Sequence, residues 1–101
     1  MEEIIMTLIV HSGEVRSYSM EAIQCAKSGN IDEARELIKK AEEEESRAHS
    51  VQTSLIQKEA NGEKTEVTLL MVHAQDHLMT SMTVKSLAVE IIDIHEQLHS
   101  K

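Results

Sequence analysis

The chain has 101 residues and a formal net charge of -8, with 18 acids against 10 Lys plus Arg. That balance excludes the basic patch a nucleic-acid binder carries, and it disfavours adhesion to an anionic membrane. With no Pro, Phe or Trp, three Gly and six Met, the chain has little that breaks helices and almost no aromatic residue, so its core must be aliphatic and Met-rich. The length suits a single domain, 1-101. The lone Cys25 forms no internal disulfide, which fits a reducing compartment. The apolar run Ile4 to Val10 follows two acids and falls short of the roughly 20 residues of a membrane span, so a cytoplasmic chain without membrane insertion is expected.

In chain order, the first helix is predicted over Glu3 to Lys27. Its apolar or small positions recur at Ile5, Leu8, Ile9, Ser12, Val15, Tyr18 or Ser19, Ala22, and Cys25 or Ala26. Gly13 is costly within it, which points to close approach of a neighbouring helix. Gly29 supplies a left-handed stop, and Asn30 with Glu33 resembles a capping box. A second helix runs from Ile31 to about Ala60, with Ile31, Ala34, Leu37 or Ile38, Ala41, Ala48, Val51 or Gln52, Leu55 and Ile56 on its inner face. The acidic run Glu42 to Glu45 reads as solvated. Asn61-Gly62 marks the second turn. Thr65 is the expected cap of a third helix carrying Val67, Leu70, Ala74, Leu78, Ser81, Val84, Leu87 or Ala88, Ile91, Ile94 or His95, and Leu98. Three rods joined by short turns give an all-α, up-down-up three-helix bundle. Surplus apolar residues on the third helix (Met71, Met82 and Val89 among them) predict self-association.

The densest polarity lies in Val72-His73-Ala74-Gln75-Asp76-His77-Leu78-Met79. At about 100° per residue, His73 shares a helical side with Asp76 and His77. Three readings follow from the residues alone. His73 and His77, at i,i+4, can chelate zinc from one face, with Asp76 adding an oxygen. They can instead be polar groups satisfied at packing positions, in a structural helical oligomer without phosphoryl-transfer chemistry. Third, a neutral imidazole, whose reference pKa is about 6.5, is a competent nucleophile and phosphoryl acceptor. The chain carries no P-loop or glycine-rich nucleotide fingerprint, so any phosphoryl group must come from another protein.

The runs Glu14-Val15-Arg16-Ser17, Ala48-His49, Gln52-Thr53, Leu55 to Lys64 and Val72 to Met79 resemble the lactose/cellobiose class of enzyme IIA from the bacterial sugar phosphotransferase system. Val15 stands where that class leads one to expect a small residue. The resemblance implies a homotrimer of three-helix protomers and a phosphohistidine carrier. His73 matches the histidine that takes a phosphoryl group from phospho-HPr and passes it to a cysteine of the IIB component. The sugar permease containing IIC is then served indirectly, during uptake of a β-disaccharide. Asp76 matches an acid at the three-fold axis that helps bind a divalent metal, Mg2+. Gln75 and His77 match neighbours with supporting roles. His11 and His49 read as packing or surface residues, and Cys25 as a small buried hydrophobe.

Overall fold

A computed structural model describes residues 2–100 and contains three helices: α1 (Glu2–Lys27), α2 (Ile31–Ala60) and α3 (Leu69–His99). The bundle measures 57 × 20 × 16 Å. Arg35 pairs with Asp93 and Glu45 with Lys85, so α2 and α3 run antiparallel. The tight turn after Lys27, together with the pairing of His11 and Glu44, folds α2 back along α1, the up-down-up order expected. α1 packs along both α2 and α3, whereas α2 and α3 touch each other less closely.

Both turns close in the same way. Gly29 (φ +86°) donates from its N–H to Ala26 O at 3.0 Å, and Asn30 donates to Cys25 O at 2.9 Å. Gly62 (φ +90°) repeats this with Glu59 O at 3.0 Å, while Glu63 donates to Lys58 O at 3.0 Å. These are Schellman motifs, which need a residue that tolerates positive φ. The expected capping box at Asn30 does not form, and Asn30 makes no side-chain cap bond. Its N–H, which Glu33 would have to accept, is already spent on Cys25.

α3 begins later than expected. Thr68, and not Thr65, is the cap, and its side chain accepts from the N–H of Met71 at 3.1 Å. Glu63 to Thr68 form no regular structure, and Thr65 and Val67 instead wall a cavity between α2 and α3.

The buried seams of α1 and α3 alternate by three and four residues, and α2 keeps the same steps with Leu37 buried beside Ile38. α1 buries Ile5, Leu8, Ser12, Val15, Ser19, Ala22 and Ala26. α3 buries Met71, Ala74, Leu78, Ser81, Ala88 and Ile92, with Lys85 at the missing step. α2 follows with Ala34, Ile38, Ala41, Ala48 and Leu55, its missing steps being Glu45 and Gln52. This is the 3.5-residue period of coiled-coil packing. It corrects four expected core positions, since Val67, Leu70, Leu98 and, on α2, Ile56 are exposed, and of Ile94 or His95 it is His95 that turns inward. On α3 the seam passes through Met71 and Ile92, so residues such as Ile94 and Leu98 fall on its outer flank.

Two apolar clusters result. One joins Ile5, Leu8, Ala48, Leu55, Met71, Ala74 and Leu78; the other joins Ala22, Ala26, Ala34, Leu37, Ile38, Ala88 and Ile92. Polar seam residues lie between them along the chain. Glu42 and Glu43 are solvated as expected, but Glu44 and Glu45 turn inward, with side chains 15% and 20% exposed. Glu44 pairs with His11 and accepts from Arg47 at 2.8 Å, while Lys85 lies 3.2 Å from a Glu45 oxygen. Towards the far end, Arg35 of α2 donates to Asp93 at 2.7 Å and Glu96 at 3.1 Å on α3. The bond to Asp93 pushes the Arg35 guanidinium above its ordinary range, so it stays a cation at any working pH.

The Glu45–Lys85 pair should show its weight by mutation. Lys85→Met leaves a largely buried carboxylate without its cation, and urea unfolding should register a loss of about 1–3 kcal/mol. Replacing both residues with leucine should recover most of that loss, because no orphaned charge remains.

Candidate functional site: an exposed histidine on the second turn of the third helix

Thr68 fixes where α3 starts, and that places His73 on the second turn, with its side chain exposed. Ala74 and Leu78, fully buried on the other side of the same turns, clamp this part of the helix to the core. The backbone under His73 is thus held by the seam while the imidazole faces out.

His77 is half-buried. Its ring lies parallel to that of His73, with centroids 6.0 Å apart and planes 5° from parallel. That is within the range of offset stacking. On its other side, His77 Nε2 comes up against α1 at Gly13. The expected close approach at Gly13 is therefore a meeting with this ring.

Asp76 is exposed and takes part in none of the ion pairs among the described residues. It borders a cavity of about 450 Å³ whose apolar walls include Leu55, Val67, Met71, Val72 and Met79. Leu69, Val72, Asp76 and Met79 follow one another at three- and four-residue steps, so the carboxylate stands in an exposed apolar stripe.

Gln75 points elsewhere. Its carbonyl accepts from Gln52 on α2 at 2.6 Å, and its amide reaches Met71 Sδ at 4.0 Å. Within one chain it is a cross-brace between α2 and α3 and is not brought to His73. Gln52 is the residue that sequence reasoning left without a role. Its signal was present, since a carboxamide at a seam position needs a partner across the interface.

The zinc reading does not gain support from this arrangement. Among the described residues no three His, Cys, Asp or Glu side chains gather as a metal site. Cys25 is no rival nucleophile: burial, and then the carboxylates of Glu33 and Glu21, push its thiol up and disfavour the thiolate. His95 and His99 form a second pair, but at the other end of the bundle, where His99 lies against Gly29. No helix among the described residues is long and apolar enough to cross a membrane.

What the site offers is an accessible imidazole, a second imidazole alongside and one unpaired carboxylate a turn away. The family described as PTS system, Lactose/Cellobiose specific IIA subunit matches residues 3–96.

The chain belongs to that family. It is a phosphotransferase component that carries phosphate, as the resemblance implied. This IIA subunit is 60% identical over 98 residues to the lichenan-specific phosphotransferase enzyme IIA component of Bacillus subtilis (strain 168), covering 97% of this chain and 89% of the relative. Among solved structures, the cellobiose-specific enzyme IIA of Bacillus anthracis superposes with a TM-score of 0.96 at 53% identity, over 99% of this chain and 92% of that one. A IIA(Chitobiose) in solution complex with HPr, from the N,N'-diacetylchitobiose branch of Escherichia coli, gives 0.85 at 42% identity, over 97% and 95%. The all-helical bundle of the IIA subunit is therefore that of its solved relatives.

Proposed function

We propose that this IIA subunit accepts a phosphoryl group from phospho-HPr on His73 and hands it to a cysteine of a IIB component. The observation that carries the reading is the exposed His73 imidazole on a backbone clamped by the seam, in a chain whose relative has been solved with HPr. A lone pair on one ring nitrogen attacks phosphorus, the N–P bond forms, and the bond to HPr breaks with its electron pair left on HPr. In the second half, the IIB thiolate attacks phosphorus, the S–P bond forms and the N–P bond breaks with its electron pair returning to the ring nitrogen, so His73 leaves as the neutral imidazole it began as. No step requires bound ATP, which suits a chain without a nucleotide fingerprint. His77 has the supporting role, because a ring N–H beside His73 can donate to a phosphoryl oxygen. IIB then serves the IIC-containing permease, and these partners place the reaction in the cytoplasm. The names of the relatives, specific for cellobiose, N,N'-diacetylchitobiose and lichenan, favour a β-disaccharide as cargo.

We further propose that the working form is a homotrimer in which α3 faces its copies. In support, Leu69, Val72, Met79, Leu87, Ile94 and Leu98 are all exposed along α3, more apolar surface than a small monomer ordinarily leaves bare. Asp76 stands in that stripe. Three such carboxylates on one axis repel unless protonated or bridged by a cation, and an oxygen donor without an ion-pair partner fits Mg2+ better than zinc. Bound there, Mg2+ would neutralise charge between protomers and take no part in transfer. Gln75, engaged with Gln52, would keep α2 and α3 in register behind the site.

Incubation with enzyme I, HPr and phosphoenolpyruvate should add one phosphoryl group per chain, acid-labile and alkali-stable. A chain that stays unlabelled would refute the carrier reading. Light scattering should give a trimer mass, and Asp76→Leu should keep or tighten that trimer, since the repulsion is gone. A monomeric Asp76→Leu protein would show instead that the cation holds the assembly together.

A further inference from the structure

We infer that Gly13 is a positioning residue for phosphoryl transfer at His73, acting through His77. The inference rests on the reading of His73 as acceptor. Three observations carry it. An ideal Cβ built on Gly13 would stand 3.6 Å from His77 Nε2, and that ring atom is the one contact the position would make. His77 is half-buried and lies parallel to His73, so its ring is bounded by α1 on one side and by the acceptor on the other. Glycine is also a poor residue in the middle of α1, where neither a cap nor a positive φ calls for it.

The distance tells how much room the glycine keeps. At 3.6 Å a methyl group meets Nε2 in ordinary van der Waals contact, so alanine fits without moving the ring. A β-branched side chain does not fit so easily. It carries two heavy atoms on Cβ with χ1 restricted in a helix, which makes it hard to turn both away from the ring. Pressed from α1, the His77 ring must rotate off its seat, and the stacked arrangement that flanks His73 goes with it. Valine is otherwise no worse a helix residue than glycine, so the change acts on the ring and not on the helix.

The test is a cycle read by the rate at which phospho-HPr labels the full chain. Gly13→Ala should label within about twofold of wild type. Gly13→Val should slow labelling about tenfold or more, in keeping with the penalty for small misplacements in a transfer site. In a His77→Ala background the valine should add no more than about a twofold change, because the group it displaces is absent. Imidazole nitrogen NMR gives a second readout: the His77 and His73 signals should shift in Gly13→Val while those of His95 and His99 stay fixed. Gly13→Thr has the same branched shape and replaces valine if that variant does not fold. Labelling at the wild-type rate in Gly13→Val, or equal slowing with and without His77, would overturn the inference. A wild type that is not labelled at all would instead overturn the acceptor reading, with the imidazole signals still reporting whether residue 13 seats His77.

Discussion

His73→Gln will remain folded and will accept no phosphoryl group. The side chain is exposed and lies outside the buried core, and glutamine is a good helix former, so the thermal transition should move little, within about 0.5 kcal/mol of wild type. Sugar phosphorylation in a reconstituted system of enzyme I, HPr, this subunit and its membrane partners should fall to background, since a carboxamide has no nucleophilic ring nitrogen to offer. His99→Gln is the matched control. It removes a histidine from the other i,i+4 pair, at the opposite end of the bundle, and should transfer at the wild-type rate. Equal loss in both variants would mean that the chemistry had been placed at the wrong pair.

Leu78→Ala will produce the largest loss of stability. Leu78 is wholly buried, is among the largest side chains so placed, and sits in the cluster with Leu8, Leu55 and Met71. Truncating such a leucine costs about 2–5 kcal/mol, the spread depending on how far the neighbours collapse into the gap. For a domain of this size each kcal/mol moves the midpoint of thermal unfolding by about 4–8 °C. Urea titration of wild type and variant at one protein concentration would measure it, with the concentration held fixed because assembly also stabilises the chain. A loss below about 1 kcal/mol would show that the seam is packed more loosely than the burial of Leu78 suggests. Because Leu78 lies directly after His77, labelling of the variant should also slow at temperatures where it is still folded.

Much of this architecture was legible in the sequence because helices repeat. The α1 seam, the two glycine stops and the up-down-up order all follow from three-to-four spacing and from the left-handed conformation that Gly29 and Gly62 supply. α3 was harder, because it carries apolar residues on two stripes. Periodicity alone does not say whether Leu70 or Met71 faces inward, and the inner stripe is settled only by contact with α1 and α2. The cap at Thr68 escaped for a related reason: Thr65 and Thr68 are equally good capping residues, and the choice falls to the one from which Met71 is carried into the core. Local charge misled at Glu44 and Glu45. A run of four acids reads as solvated until the antiparallel register brings His11 and Lys85 opposite two of them. At the site, His73, Asp76 and His77 could be placed on one side of a helix from their spacing. The orientation of Gln75 toward Gln52 and the seat of His77 on Gly13 depend on neighbouring helices, which no local pattern encodes.

The most direct test of the carrier reading is to find the phosphorylated atom in the unmodified protein. The wild-type chain would be labelled through enzyme I and HPr, digested at alkaline pH and sequenced by tandem mass spectrometry, with phosphorus NMR on the intact protein to confirm a nitrogen-bound phosphoryl group. Phosphate on His73, with none on His77 or Cys25, is the predicted result. Phosphate on His77, on Cys25 or on no residue of the chain would contradict it.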